Sequence, residues 1–243
     1  MSTLKIRQAT AMKEGAGAEV RRLMPVPEFM NYDPFVLWDD FTVKPGAGFP
    51  THPHRGFEAI TYMFEGTMQH KDNLGNESTV GAGGAQRFTA GRGLEHSEMP
   101  SPDGISRGIQ LWINLPGSKK SIAPDYQQVN ADEFPLQSLA HGAVRTIVGE
   151  GSPLKLHTPV RYLDVRLDAS GTFQKSLPKD FRGLVYVVSG DIRINDKTLT
   201  TGDSCFIEDV DQLTIEAATD ARFMVCVGKP HHEPIRQWGP YVD

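Results

Sequence analysis

The sequence predicts an all-β protein made of two tandem β-barrels, and three observations support this fold class. From Phe35 onward, short runs rich in β-branched and aromatic residues alternate with Gly, Pro, Asn and Asp, as in sandwiches and barrels. The 243 residues include 24 Gly and 17 Pro, which favours many turns over long helices. A strand pattern in the first half also recurs in the second half, which indicates a duplicated β unit.

The clearest strand of the first half extends from Glu58 to Glu65 and ends at Gly66. The segment from Asp72 to Asn76 predicts a hairpin connection, because Asn and Gly tolerate positive φ angles. Another strand pair is expected to begin near Ser78. The first half therefore has the strand and turn succession of an antiparallel β unit.

The second half repeats this succession. Gly183 to Gly190 resembles the earlier run, a short strand follows at Ile192 to Ile194, and a tight turn is expected at Asn195 to Lys197. Four pairs of residues align the copies, namely Tyr62 with Tyr186 and Gly66 with Gly190 at an offset of 124, and Gly84 with Gly202 and Phe88 with Phe206 at an offset of 118. The difference of six residues predicts a shorter hairpin in the second copy.

The duplication gives a domain division. We assign residues 1–130 to an N-terminal barrel and residues 131–243 to a C-terminal barrel that carries a C-terminal tail. The join is expected in the polar, Pro-bearing stretch between Ser118 and Pro135.

The overall charge argues against two classes of partner. A net charge of -5 and a pI near 5.9, without a dense Lys/Arg run, exclude direct binding to nucleic acid or to an anionic membrane surface. Cys205 and Cys226 lie in apolar strand-like runs and are expected to be buried free thiols. No apolar stretch resembles a signal peptide or a membrane span, so we expect a cytoplasmic protein, and a monomer.

A cluster of histidines in the first half predicts a metal site. His52 and His54 are two residues apart, so on an extended chain both rings lie on one face. The glycine-rich approach from Gly91 allows a sharp turn before His96 and Glu98, which again share a face. Spacing leaves the carboxylate ligand open between Glu98 and Glu58.

Three imidazoles and one carboxylate suit Fe, Mn, Ni, Cu, Co or Zn, whereas Ca²⁺ or Mg²⁺ would require mostly oxygen ligands. Four protein ligands leave positions open on a five- or six-coordinate metal, which permits catalysis. The aligned positions in the second copy are Ser176, Pro178 and Thr214, so we expect one mononuclear site in the N-terminal barrel.

The remaining histidines are expected to lie outside the site. His70, His141 and His157 stand alone among polar neighbours in the sequence. His231 and His232 are adjacent in a Pro-flanked tail, where neighbouring side chains diverge and solvent exposure is expected.

The segment from Gly46 through His52 and His54 to Glu58 resembles the first cupin motif, although seven residues instead of six separate Glu58 from Gly66. The runs Phe49–Glu58 and Thr89–Glu98 resemble more closely the signature of the pirin family. The resemblance extends to three further segments and so spans nearly the whole chain, at Asp33–Phe41, Gln110–Pro116 and Glu233–Val242.

Pirins are bicupins with a metal, most often iron, in the N-terminal barrel. The resemblance implies His52, His54, His96 and Glu98 as ligands and Fe(II) as the metal. Glu58 is then displaced from the metal and is expected to orient a ligand imidazole or to line the pocket.

Several pirins resemble quercetinases, which are quercetin 2,3-dioxygenases that open the flavonol ring with dioxygen and release carbon monoxide. In this mechanism Glu98 is the catalytic base that takes the proton of the flavonol 3-hydroxyl. Five apolar side chains are available either to line the pocket or to form ordinary core, namely Phe49, Ile60, Tyr62, Phe64 and Trp112. Two alternatives stay open: a metal-dependent regulator that acts through protein partners without turnover, and a metal-stabilised binding module.

Overall fold

The computed structural model describes residues 5–102 and 104–243, and it is nearly all β. In chain order the strands are Lys5–Gln8 (β1), Thr10–Glu14 (β2), Ala18–Met24 (β3), Phe35–Val43 (β4), Phe49–His54 (β5), Phe57–Glu65 (β6), Thr67–Asp72 (β7), Glu77–Gly81 (β8), Ala85–Thr89 (β9), Leu94–Pro100 (β10), Ser106–Asn114 (β11), Asp125–Val129 (β12), Leu136–Leu139 (β13), Gly142–Val148 (β14), Val160–Leu167 (β15), Thr172–Ser176 (β16), Arg182–Ser189 (β17), Ile192–Ile194 (β18), Lys197–Leu199 (β19), Asp203–Ile207 (β20), Gln212–Ala217 (β21), Ala221–Gly228 (β22), Gln237–Trp238 (β23) and Tyr241–Val242 (β24). Two 3-10 helices of one turn lie at Gly117–Lys119 and Ala131–Glu133.

The chain divides into two compact units. The first unit comprises Thr10–Glu133, Leu156–Thr158 and His231–Asp243. The second unit comprises Phe134–Lys155, Pro159–Pro230 and the described residues up to Ala9. The boundary near residue 130 stays a prediction, and a division by sequence order did not anticipate that each unit also includes residues from the opposite end of the chain.

The first unit contains two antiparallel sheets. The larger sheet has the strand order β12-β9-β6-β11-β4-β3-β2, and the smaller has the order β5-β10-β7-β8. Val20 and Phe41 of the larger sheet pack in one buried cluster with Met68 and Val80 of the smaller sheet. Because each sheet contributes an apolar face, the core of this unit lies between the sheets.

The second unit repeats this arrangement. Its sheets have the orders β1-β20-β17-β22-β15-β14-β13 and β16-β21-β18-β19, which match those of the first unit position by position. The turn between β18 and β19 consists of Asn195 and Asp196, with Asn195 at a φ angle of 54°. The all-β fold class, the duplication and the shorter second hairpin are therefore confirmed, while closure of each unit into a barrel stays a prediction.

The edge strand distinguishes the two units. In the first unit β12 pairs with β9, whereas in the second unit β1 pairs with the equivalent strand β20. The side chain of Ser204 also donates a hydrogen bond to the carbonyl oxygen of Arg7 at 2.8 Å. The N-terminal strand is thus a part of the second unit.

The structure also bears on the two cysteines and on membrane-spanning helices. Cys205 and Cys226 are both buried and free, as the apolar runs around them predicted. Among the residues described, none of the helical segments is long and apolar enough to span a membrane.

Candidate metal centre

Strands β5 and β10 bring the three predicted imidazoles together. His52 and His54 share a face of β5, and His96 is the register partner of His52 on β10. The ring centroid of His52 lies 4.6 Å from the centroid of His54 and 4.6 Å from that of His96. One nitrogen of each ring lies within 4.8 Å of the others. The sequence prediction that these three side chains converge is confirmed.

Glycines at the ends of these strands permit the close approach. The backbone N–H of Gly56 donates to the carbonyl oxygen of Gly91 at 2.9 Å. A Cβ atom on Gly56 would lie 1.8 Å from the carbonyl oxygen of Val242, and one on Gly91 would lie 2.3 Å from that of Ile122. Both glycines also have positive φ angles, 85° and 49°. Larger residues at these positions would push the two ligand strands out of place.

Hydrogen bonds fix the orientation of each imidazole. Nδ1 of His52 lies 2.7 Å from the carbonyl oxygen of Pro50, and Nδ1 of His54 lies 3.4 Å from that of Pro240. Both Nδ1 atoms must donate, because a carbonyl oxygen only accepts. In a neutral ring this leaves the Nε2 lone pair free to bind a metal.

His96 supplies the observation that tests whether a metal fits. Its Nδ1 lies 3.4 Å from Nδ1 of His70, while its buried Nε2 has no hydrogen-bond partner. An unsatisfied buried polar atom costs about 1–3 kcal/mol. A metal ion held by the three converging rings would satisfy this nitrogen, so the donor set fits a transition metal.

The environment keeps the rings of His54 and His96 neutral. Burial, with a smaller effect of the neighbouring His52, lowers the pKa of His54 to about 3. Burial and the neighbouring imidazoles also lower the pKa of His96 well below its ordinary value. A neutral imidazole is the form that binds a metal, so the site needs no deprotonation of these two ligands at neutral pH.

Aromatic rings enclose the cluster. His54 stacks on Phe88 at a centroid distance of 5.2 Å and contacts the edge of Trp112 at 4.9 Å. Phe57 in turn stacks on Trp112 at 4.1 Å. This apolar wall of Phe57, Phe88 and Trp112 hinders access of water to His54 from one side.

Glu98 lies on the inward face of β10 with only 5% of its surface exposed. Its Oε1 accepts hydrogen bonds from Gln86 at 2.5 Å and from the Thr61 hydroxyl, which lies at 2.6 Å. Its Oε2 lies 3.4 Å from the amide nitrogen of Gln110. The carboxylate is not part of the group of ligand atoms within 4.8 Å, so its role as a fourth ligand stays a prediction.

Glu58 is fully buried, but its carboxylate contacts groups outside the histidine cluster. It accepts hydrogen bonds from the Thr89 hydroxyl at 2.9 Å and from the backbone N–H of His157 at 2.8 Å. Burial raises its pKa above the ordinary value, against the effect of these donors. Glu58 is separated by an odd number of positions from Thr61, which lines the cavity, so the two side chains lie on opposite faces of β6.

His70 is not among the three converging imidazoles, but it lies against the site. It is not isolated, because it is fully buried beside His96 and its Nε2 lies 3.0 Å from a carboxylate oxygen of Asp72. Its local sequence is polar, and the signal that could have revealed it is its spacing of two residues from Asp72 on a strand.

A cavity of about 540 Å³ opens on the histidine cluster. Its walls include the ligand candidates His52, His54 and Glu98, together with Phe49 and Trp112. Of the five apolar side chains proposed for the pocket, these last two line it, whereas Ile60, Tyr62 and Phe64 do not.

The C-terminal tail forms part of the same wall through Gln237, Gly239 and Pro240. His231 and His232 do not line the cavity. Their backbone N–H groups donate to the Asp33 carboxylate at 3.0 and 2.9 Å, which ties down the start of the tail.

Comparison with known proteins agrees with this geometry. The sequence profile described as Pirin matches residues 17–113, and that described as Pirin C-terminal cupin domain matches residues 162–243. A pirin-like protein of Caulobacter vibrioides is 37% identical over 251 residues, which covers 98% of this chain and 91% of that protein.

Two solved structures have the same fold. A quercetin 2,3-dioxygenase from Acinetobacter baumannii superposes with a TM-score of 0.89 at 29% identity, covering 98% of this chain and 90% of that chain. A bacterial pirin from Escherichia coli, in complex with nickel(II), superposes with a TM-score of 0.80 at 27% identity, covering 94% of this chain and 99% of that chain. The two family profiles show that the units are cupin-type domains, and the chain belongs to the pirin family.

Proposed function

We propose that this chain is a metal-dependent quercetin 2,3-dioxygenase, which opens the heterocyclic ring of a flavonol with dioxygen and releases carbon monoxide. The observation that carries the proposal is the convergence of three imidazoles on a cavity that also contains the Glu98 carboxylate. Similarity to a solved quercetin 2,3-dioxygenase supports the same activity.

His52, His54 and His96 would hold the metal through Nε2, with Glu98 as the fourth ligand. Fe(II) is the metal that we propose, and Mn, Ni, Cu, Co and Zn are compatible with the same donors. When bound, such a metal supplies a Lewis acid for a phenolic oxygen and positions open to small ligands. The nickel(II) complex of the Escherichia coli pirin supports a transition metal in this fold.

Glu98 would take the proton of the flavonol 3-hydroxyl. Its Oε1 accepts close hydrogen bonds from Thr61 and Gln86, whereas Oε2 has a longer contact with Gln110. We therefore assign Oε2 to the metal and to proton transfer. Gln86 is itself oriented, since its amide oxygen accepts a hydrogen bond from the Tyr126 hydroxyl at 3.1 Å. Its amide nitrogen therefore points to Glu98. A base held this firmly favours proton transfer from one substrate orientation.

The cavity suits a neutral aromatic substrate. Its volume lies within the range of about 300–1,000 Å³ that is common for small-molecule sites. Phe49 and Trp112 provide flat apolar surface for stacking and for exclusion of water. The reaction converts one flavonol and one dioxygen into an opened ester and carbon monoxide, so it consumes no external reductant.

Charge in the cavity argues against a dicarboxylate substrate. The guanidinium of the lining residue Arg22 is paired with Asp39 at 2.6 Å and with Glu14 at 2.8 Å. Glu98 adds a third carboxylate to the same wall. A divalent metal would neutralise the excess negative charge, and a substrate that carries two further charges would then lack a cationic partner.

The test is metal analysis of the purified protein, followed by quercetin turnover with measurement of oxygen uptake and carbon monoxide release. We expect turnover in the metal-replete protein and loss of it in His52→Ala and Glu98→Gln. His141→Ala, an exposed histidine of the second unit, is the matched control and should keep full activity. Metal-replete protein that gives no turnover would contradict the proposal, and turnover of oxalate would contradict the charge argument.

A further inference from the structure

Strand β7 places a His and an Asp against the metal-site strand. His70 and Asp72 are two residues apart, so both side chains lie on the same face of β7. In the antiparallel pairing with β10, Asp72 is opposite His96 and His70 is opposite Glu98. The side chains of His70 and Asp72 have no exposed surface.

Three side chains form one hydrogen-bonded row. Nε2 of His70 lies 3.0 Å from Oδ2 of Asp72, and Nδ1 of His70 lies 3.4 Å from Nδ1 of His96. Burial opposes ionisation of Asp72, but hydrogen bonds from His70 and Asn76 outweigh it and keep the pKa of this carboxyl below its ordinary value. An ionised carboxylate only accepts, so Nε2 of His70 must donate to it.

Donation from Nε2 is compatible with an acceptor nitrogen on the other side of the His70 ring. A neutral His70 that donates from Nε2 has its lone pair on Nδ1, and this lone pair accepts from Nδ1–H of His96. His96 then carries its own lone pair on Nε2, the buried nitrogen that has no hydrogen-bond partner. In this arrangement, the row from Asp72 to His96 supports the tautomer of His96 that can bind a metal.

The His70 ring is also held against rotation. It stacks on Tyr126 with a centroid distance of 4.2 Å and an interplanar angle of 18°. The Tyr126 hydroxyl is in turn hydrogen-bonded to Ser78 and Gln86. A fixed ring plane keeps Nδ1 of His70 directed at His96.

The second unit shows what occupies this place without a metal site. Strand β18, which takes the place of β7 in the sheet order, contains no histidine, and its residues Ile192 and Ile194 are buried in the apolar core of that unit. The strands that take the places of β5 and β10 are β16 and β21, and neither contains a histidine. The buried His and the imidazole ligands therefore occur together in one unit and are both absent from the equivalent strands of the other.

We propose that Asp72 and His70 are positioning residues that fix the tautomer and ring orientation of His96 and so strengthen metal binding. The inference rests on the metal site of the proposed function, but not on quercetin as the substrate. Groups that hold the second nitrogen of a ligand imidazole typically raise metal affinity by about 10- to 100-fold. The direct contact is made by His70, and Asp72 acts through it.

The experiment measures Co(II) affinity by competition with a chromophoric chelator and records the visible d–d spectrum of the Co(II) protein. His70→Phe keeps an aromatic ring against Tyr126 but removes the acceptor for His96. We expect its Co(II) affinity to fall by about 10- to 100-fold, with a changed spectrum. His70→Asn restores an acceptor oxygen near the position of Nδ1 and should recover part of the affinity.

Asp72 needs its own control because it also holds the hairpin turn. Its Oδ1 accepts from the backbone N–H groups of Leu74 and Asn76, and the Asn76 side chain donates to both oxygens. Asp72→Asn keeps an acceptor but loses the charge, so we expect a smaller loss of affinity than in His70→Phe. Asn76→Ala removes only the donors from its side chain and should bind Co(II) within about twofold of the wild type, because it leaves the hydrogen bond to His70 in place.

Three outcomes would overturn the proposal: wild-type affinity and spectrum in His70→Phe, equal losses in Asp72→Asn and Asn76→Ala, or no Co(II) binding by the unaltered protein. The unfolding temperature of each metal-free variant separates a folding defect from a binding defect. Absence of quercetin turnover, with the affinity series as expected, would reject the proposed activity and leave the positioning role supported.

Discussion

His52 and His96 lie directly opposite each other in the antiparallel pairing of β5 and β10, with their ring centroids 4.6 Å apart. Each histidine reaches the cluster because of backbone pairing, not because of a loop. Ligands on paired strands are held more precisely than ligands on loops, so the unit has the donor geometry before any metal arrives.

Removal of either opposed histidine should abolish stabilisation by the metal. At a free metal concentration of 100 times Kd, binding stabilises the folded protein by about 2.7 kcal/mol. We expect His52→Ala and His96→Ala to lose the metal-dependent rise in the unfolding temperature measured by calorimetry. Glu95→Ala, on the exposed face of the same strand, is the control. A metal-dependent rise in the unfolding temperature of His96→Ala equal to that of the wild type would show that the metal binds elsewhere.

The hydrogen bonds to Glu98 should matter for turnover. Glu98→Gln removes the proposed base and is expected to lower kcat for quercetin by about 10²- to 10⁴-fold. Gln86→Leu leaves the carboxylate in place but removes its hydrogen bond to Oε1, so we expect a smaller loss of kcat. Steady-state kinetics measure both, with exposed Gln69→Leu as the control. Unchanged kcat in Glu98→Gln would reject the base assignment.

The tail should influence the metal site through Lys120. Its Nζ donates to the carbonyl oxygens of Val242 at 2.7 Å and Gly56 at 2.9 Å. Lys120→Met leaves these acceptors without a donor, so we expect a loss of about 1–3 kcal/mol in urea unfolding. Pro240, which accepts from His54, is then held less firmly, so Co(II) affinity should also fall.

Asp243→Ala serves as the comparison for Lys120→Met. It removes an ion pair with Arg55 in which both side chains are about half exposed, and it should cost less than about 1 kcal/mol. Equal stability and affinity in Lys120→Met and the wild type would mean that the tail is held by other contacts.

The Arg22–Asp39 pair predicts a pH dependence. Burial outweighs the hydrogen bonds from Arg22 and raises the pKa of Asp39 above its ordinary value of 3.8. The folded state therefore binds the proton more tightly than the unfolded state, and this contribution to stability is lost as pH rises through the folded pKa. Arg22→Met removes a partner that lowers the pKa of Asp39, so the folded protein loses more stability as pH rises.

The free energy of unfolding in urea at two pH values checks this. Breaking a buried pair costs up to about 3–5 kcal/mol. We expect the loss in free energy of unfolding of Arg22→Met, relative to the wild type, to be larger at pH 8 than near pH 4. Arg193→Met, at an exposed position, should show no such trend. A deficit that grows toward acid pH would refute the assignment.

The histidine cluster could be predicted because its signals are local. A spacing of two residues on a strand puts His52 and His54 on one face, and Gly91 permits the turn before His96. The duplication was also readable, since glycine and aromatic positions recur at nearly constant offsets. These features depend on strand period and turn chemistry, which the sequence shows directly.

The remaining parts of the site depend on pairing between distant segments. His70 contacts His96 only because of the register between β7 and β10, which no local pattern specifies. Strand β6 is buried on both faces, so the pattern could not show that Glu58 lies on the face away from the cavity. The extra residue between Glu58 and Gly66 was the relevant signal, because one position on a strand reverses the direction of a side chain.

His54 and the carbonyl group of Pro240 that orients it are separated by 186 residues. During synthesis, a ribosome must therefore complete the whole second unit before this ligand can acquire its acceptor. A truncated mRNA, or cleavage of the chain before Pro240, yields a protein in which the histidines are present but His54 lacks this acceptor. We expect tight metal binding to follow synthesis of the segment that contains Pro240, so that shorter products remain poor competitors for scarce metal.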